Sequence, residues 1–307
     1  MLQYNFLTMK KTLTFLFILF GVALQAQTVR LEFKPVAGTD YTANVSVVQT
    51  MTIKVPMMGD MTTVTTQEMS SSMKLVEKVD KGYLMEAIIT RMVIKATGQG
   101  QSQEFSSEAE DVQGVAMRSV MNRPFRAVVS AQGEVVEVMP LDTAFYSGID
   151  PALAAQYAKR KRETLTTQIK SLFSEAVLKS AVQAGLTKFP DKDIKVPSAW
   201  TQEDEEPSLS ATTTTQYRFV SLADGVATFD CQVLLIQNPD AKPDPKATQR
   251  MEGLSGKGPA SVKVTAADGW IVEGTTTQNI AGDLVIEQGG QTQRLPIVMK
   301  IESKVTR

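Results

Sequence analysis

A mainly β fold, with antiparallel meanders duplicated in the two halves and a helical segment between them, is what this sequence predicts. Three observations carry it. Residues 74–94 (KLVEKVDKGYLMEAIITRMVI) read as a strand, a polar turn at Asp80-Lys81-Gly82 and a second strand. Residues 218–236 repeat that form with a turn one residue shorter, and residues 130–137 (SAQGEVVE) are echoed in the same order by residues 266–273 (AADGWIVE). Between the two pairs lies the one long stretch of helical periodicity, residues 150–186.

The chain opens on a predicted export leader, residues 1–26. Met9-Lys10-Lys11 forms a basic start, and Met9 is the expected initiator. Residues 12–24 form an apolar run of 13 residues, and Ala26 and Gln27 flank the expected cleavage point. The run is shorter than the ~20 residues that a spanning helix needs. No cysteine stands at the cleavage point to take a lipid anchor. The expectation is a periplasmic or secreted protein with no membrane span.

Three β-rich or helical regions should follow: an N-terminal meander at 27–149, a helical segment at 150–187 and a C-terminal meander at 188–307. Val29, Leu31 and Phe33 alternate with polar residues. Tyr41–Val55 continues the alternation long enough to mark a strand with one buried face. Residues 56–60 turn the chain, and 61–79 return rich in Thr, Ser and Met. Further strands are expected at 103–109, 125–129 and 134–139. Asp150 then suits an N-cap with Pro151 at the first helical position. Leu165, Ile169, Leu172, Phe173, Ala176 and Val177 form an apolar stripe, and Gly185 and Pro190 suit a stop. The acidic run 203–206 and the Pro/Gly/Lys-rich stretch 238–259 read as loops. Strands are expected at 211–220, 226–237, 261–265, 270–278, 283–287 and 294–305. Gly289-Gly290 should make a hairpin turn, and Pro296 an edge or bulge.

Composition removes several chemistries. Lys and Arg number 32 against 33 Asp and Glu, so nothing in the charge balance points to nucleic acid. The chain has no His, which excludes His-based triads and His metal sites. Its one Cys, Cys231, alternates with Phe229, Val233 and Leu235 and reads as a small buried hydrophobe.

Several short motifs together resemble a family of exported Bacteroidota proteins that carry a domain of unknown function. They are Leu31-Glu32-Phe33-Lys34 followed by Tyr41, the Met-rich Thr/Ser strands, and Pro124-Phe125 before residues 130–135. Val196 with Trp200, Tyr217-Arg218-Phe219 before Gly225, and Gly256-Lys257-Gly258 before Gly269 complete the set. Pro197 stands where the resemblance implies a Gly. The family implies no catalytic residues. In strand length and in its interrupting helix, the chain also resembles periplasmic lipoprotein carriers of the curved half-barrel type.

The candidate site residues are few. Ten of the fifteen Met residues fall between Met51 and Met121. Thioethers suit Cu(I), but without His or a neighbouring Cys they read better as adaptable apolar lining. Parity puts Met69 and Met73 on one strand face and Met85 on one with Tyr83, Ala87 and Ile89, with Met92 opposite unless a bulge intervenes. Met69, Met73 and Met85 are therefore the expected groove lining. Thr143, in Asp142-Thr143-Ala144, resembles an O-glycosylation acceptor of exported Bacteroidota proteins. Residues 159–162 (KRKR) read as a solvated helix face or an acidic partner's site. No metal or cofactor is expected. The leading expectation is a non-enzymatic envelope protein binding a lipid or lipidated partner on a curved sheet. A structural or interaction module is the alternative, and a carboxylate hydrolase the third.

Overall fold

In the computed structural model of the chain, residues 28–206, 209–240, 248–288 and 291–307 are described. The leader and its cleavage residues Ala26 and Gln27 lie outside them, as does the Gly289-Gly290 turn.

Period-2 patterning becomes long strands. After a short β1 (Thr28–Val29), β2 (Tyr41–Val55), β3 (Gly59–Val79) and β4 (Gly82–Gly98) run up and down in one meander. The β3–β4 turn requires glycine at Gly82. Its φ is 140°, and a Cβ there would sit 2.1 Å from the Val129 carbonyl oxygen. β5 (Gln101–Ser106) folds back on the far end of β4 and stops sooner than its sequence suggests. A short helix follows that periodicity did not announce: α1 (Val112–Arg118), whose start is fixed by Asp111 accepting from Gly114 N at 2.7 Å. β6 (Phe125–Val129) and β7 (Val135–Val138) then form a hairpin beside β4.

The helical segment is three helices rather than one. α2 (Ile149–Ala154), α3 (Lys159–Leu172) and α4 (Glu175–Gln183) bury Ile149, Leu153, Leu165, Ile169, Phe173 and Leu178. One sequence expectation is corrected here. The N-cap is Gly148, and Asp150 instead pairs with Arg162 at 2.8 Å. Gly185 also makes room, because a Cβ there would lie 2.2 Å from the Trp270 ring.

β8 (Ile194–Lys195) pairs with β1. The remaining strands are β9 (Ser198–Glu206), β10 (Ala211–Ala223), β11 (Val226–Gln237), β12 (Gln249–Thr265), β13 (Ile271–Gln288) and β14 (Gln291–Thr306). The acidic run is thus an edge strand, not a loop. Much of the Gly-rich stretch is the first half of β12. Glycine suits it to a crowded strand: a Cβ on Gly258 would be 1.6 Å from the Thr277 carbonyl oxygen, and Gly253 sits at φ 64° in a bulge. Pro296 lies just before β14 begins to pair with β2, where its missing N–H costs no bond on that side.

All but β1 and β8 join one antiparallel sheet of twelve strands, in the order β7-β6-β4-β3-β2-β14-β13-β12-β11-β10-β9, with β5 beside β4. The last strand zips onto the first long one, from Ile297↔Ile53 to Thr306↔Asn44, and this makes the two halves one sheet. The two echoed hairpin pairs follow the same strand order, as any plain meander does.

The sheet curls. Lys188 reaches Glu134, in the turn before edge strand β7, at 3.1 Å, and it also pairs with Asp204 on the opposite edge strand β9. Residues 30–34 run between the two echoed turns: Phe33 N donates to Ala131 O at 2.7 Å and Lys34 N to Asp268 O at 3.0 Å. There Phe33 packs against Tyr41, Tyr83 and Trp270, and the Trp270 indole N–H donates to Thr42 O at 3.0 Å. Aromatic side chains bury roughly 150–250 Å² each, so this knot anchors the strap between the turns.

Candidate ligand-binding face

Register decides which side chains share a face. Tyr41↔Met73, Leu75↔Met85 and Met51↔Met299 place those residues on one face, here the inner one, with Phe229, Leu235 and Ile280. The helices pack on this face at the end nearest Tyr41.

The methionine groove is not there. Met85 is 0% exposed, and Met73 and Met92 are 4% exposed. Met69 is partly exposed but packs on the same core. Met117 and Leu178 of the helices, with Met121 just after α1, belong to that core and leave these strands no open wall. The parity expectation for Met92 fails for a second reason. The ladder runs Ser71↔Ile89 and then Ser70↔Arg91, which leaves Thr90 bulged. One extra residue turns Met92 onto the core face with Met85, Ala87 and Ile89.

The inner face stays open to a different use at the other end of the strands. Leu235, Leu254, Ile280, Ile297 and Met299 form a buried apolar floor. Met51, Ile53, Met251, Leu284 and Ile301 lie around it partly exposed. Every member of this cluster belongs to β2 or β10–β14, except Leu209. Strand side chains with no helix among them become this buried only if the sheet bends around them, as the edge link through Lys188 requires. Gln237 closes the far end, donating to Leu209 O at 2.9 Å and Met251 O at 3.0 Å while accepting from Leu254 N at 3.2 Å. Between floor and helices, the register leaves a band of small residues, Gly258, Ala260, Thr276 and Ser303. No short-range pattern announces this floor, because its members come from four strands and meet only through cross-strand register.

Nearby titratable groups are held by burial or by partners. Burial pushes the Cys231 thiol up to about 12, with Asp230 adding to it, so the thiol is an unreactive wall atom. Tyr217, stacked on Trp200 at 5.0 Å, is likewise raised by burial. Burial works against the charge on Lys188, but Asp204 and Glu134 outweigh it and raise its pKa. Among the described residues the buried polar side chains are Ser106, Ser107 and Thr187, and no three of His, Cys, Asp or Glu converge as a metal set. Met57 and Met58 are exposed at the β2–β3 turn. Thr143 is exposed at the first position of a 3-10 turn, Thr143–Tyr146, capped by Asp142. No helix among the described residues is long and apolar enough to cross a membrane.

Residues 80–271, from the β3–β4 turn through the helices to the start of β13, match the model of DUF6263, a family of unknown function. The chain belongs to this family. The DUF6263 match takes in the helical layer and the β6–β7 and β12–β13 turns, while β2 and β14, which close the sheet, fall outside it. No curated protein matches the chain. A solved structure titled for lipid–protein interactions in lipovitellin is similar at 13% identity and a TM-score of 0.45 over 90% of this chain. This chain spans 25% of that one. DynF of the dynemicin biosynthesis pathway of Micromonospora chersina is similar at 8% identity and a TM-score of 0.21, with 93% and 87% of the two chains covered. Neither score is high enough to establish a shared fold.

Proposed function

We propose that this protein binds an apolar ligand, a lipid or the lipid chain of a partner, on the inner face of its curled sheet. The observation that carries the reading is the apolar floor at the far end of β2 and β10–β14, with its partly exposed rim of Met51, Ile53, Met251, Leu284 and Ile301. A rim of methionine and branched aliphatics adapts to a flexible chain, and it makes no directional demand on a headgroup. Residues 1–26 would export the chain to the periplasm or beyond, where such a carrier works between surfaces. Thr143 remains the proposed acceptor for O-glycosylation on the exposed side of the helical layer. Native mass spectrometry of the protein purified from its own host tests the reading. A retained lipid supports it, and a bare chain that takes up no fluorescent fatty acid sinks it.

A second reading, an interaction module with no small ligand, is favoured by the opposite face. Leu234 and Val298 stand 40% and 46% exposed at a hollow of about 340 Å³ on the outside of β11–β14, and Ile236, 51% exposed, lies two residues from Leu234 on the same strand face. Chemical crosslinking in the native host would find its partner there.

A further inference from the structure

We propose that the start of α3 docks the protein onto an anionic lipid surface. The inference extends the apolar-ligand reading by naming where such a ligand is collected or delivered.

Lys159, Arg160, Lys161 and Arg162 fill the first turn of α3. That is the positive end of the helix dipole, where cations are unfavourable and acids are usual. The turn contains no acid, and Ala158 supplies no side-chain cap. Folding therefore gives no reason for this run. Only Arg162 is used internally, turned to Asp150 at 2.8 Å. Lys159 reaches Glu163 only at 4.0 Å, Lys161 lies over the Tyr157 ring at 4.5 Å, and Arg160 pairs with no acid among the described residues. All three side chains are exposed. The excess is regional: residues 155–180 hold six cations and two acids, while the rest of the chain holds 26 cations and 31 acids.

The neighbours of these cations suit a headgroup layer. Tyr157 offers an amphipathic ring and accepts from Gln113 of α1 at 3.4 Å, which places α1 alongside. α1 exposes Val115, and the end of α2 exposes Ala154 and Ala155. Basic residues beside small apolar ones and a tyrosine match the boundary between phosphates and acyl chains. A duplex is a poorer fit, because three exposed cations within one turn of about 5.4 Å cannot neutralise the six or more phosphates of a typical site.

The test is flotation of the full chain with vesicles of phosphatidylcholine, alone or mixed with phosphatidylglycerol. Binding to the mixed vesicles only, lost near 1 M salt, is expected. The triple variant Lys159→Gln/Arg160→Gln/Lys161→Gln should bind about a hundredfold more weakly, roughly fivefold per cation. It should melt no lower than the wild type, since neutralising the turn relieves the dipole conflict. Lys95→Gln, exposed on β4 outside that stretch, should bind normally. Equal binding to both vesicle types, no binding, or a triple variant that binds like wild type would overturn the proposal. So would duplex DNA that binds through the same residues while vesicles do not. Lipid retained by a protein that ignores vesicles would leave the apolar site standing and remove only the docking surface. Vesicle binding by a chain that holds no lipid would do the reverse.

Discussion

Met69 and Met92 stand directly opposite each other in the β3–β4 ladder, and both pack into the core beneath the helices. They do so because Thr90 is bulged between Ile89 and Arg91, so that β4 presents Met85, Ala87 and Ile89 by odd parity and Met92 by even.

Deleting Thr90 should therefore keep the core face intact. Thr90→Ala removes one exposed hydroxyl bond to Ser70 O and should cost under about 1 kcal/mol. The deletion makes Ile89↔Ser71 and Arg91↔Ser70 consecutive pairs and leaves Met85 and Met92 on one face, so it should still unfold cooperatively. Circular dichroism melts of the two variants decide it, and loss of cooperative unfolding in the deletion alone would mean that the bulge is needed in its own right.

Met85→Lys and Met51→Lys should separate core from rim. The first buries an unpaired charge and should cost several kcal/mol or prevent folding. The second lies at the edge of the floor, and it should lower fatty-acid uptake while shifting the denaturation midpoint little. Equal destabilisation by both would remove Met51 from the ligand site.

Lys188→Met should cost about 1–3 kcal/mol by cutting the link between β7 and β9. The pH dependence has a definite sign. The folded pKa of Lys188 is raised, so its contribution is fully present below the unfolded value of about 10.4 and disappears as pH climbs through the folded one. Wild type should lose its advantage over Lys188→Met in strongly alkaline urea titrations. An advantage that persists there would mean the charge is not what joins the edges.

Gly185→Ala should destabilise by more than a helix-end alanine ordinarily could, because its new Cβ enters the Trp270 ring position. A shift in Trp fluorescence at unchanged far-ultraviolet dichroism is the expected signature. A stabilised variant would show that the ring can yield.

Cys231 should resist a thiol reagent at pH 8 until the protein unfolds, since burial holds its pKa near 12. Stoichiometric labelling of the native chain would mean that this wall is open.

Local pattern revealed most of the strands. Tyr41–Val55, Phe125–Val129 and Val226–Gln237 were legible to their end residues, the last of them by clean alternation. It failed where distant chain decides the outcome. Glu203 and its acidic neighbours look like loop, yet Thr212–Thr215 give them a ladder. Gly256 and Gly258 look mobile, but β12 needs their missing side chains against β13. The methionines misled for the same reason. Their strand face was legible, but the helices that cover it, and a bulge set by β3 pairing, are tertiary facts. The candidate floor was the least legible part, because Leu235 and Ile297 join one cluster only through the successive ladders from β11 to β14.

That closing strand has a consequence for biosynthesis. Of the described strands β14 is made last, so β2 must wait with a bare edge until all the others have been made. Pairing so remote in sequence forms slowly, and open edges in the meantime recruit other chains. A nascent copy of this protein is thus a natural client for a holding chaperone. Truncation by a dozen C-terminal residues should yield two sticky half-sheets rather than a slightly shorter protein.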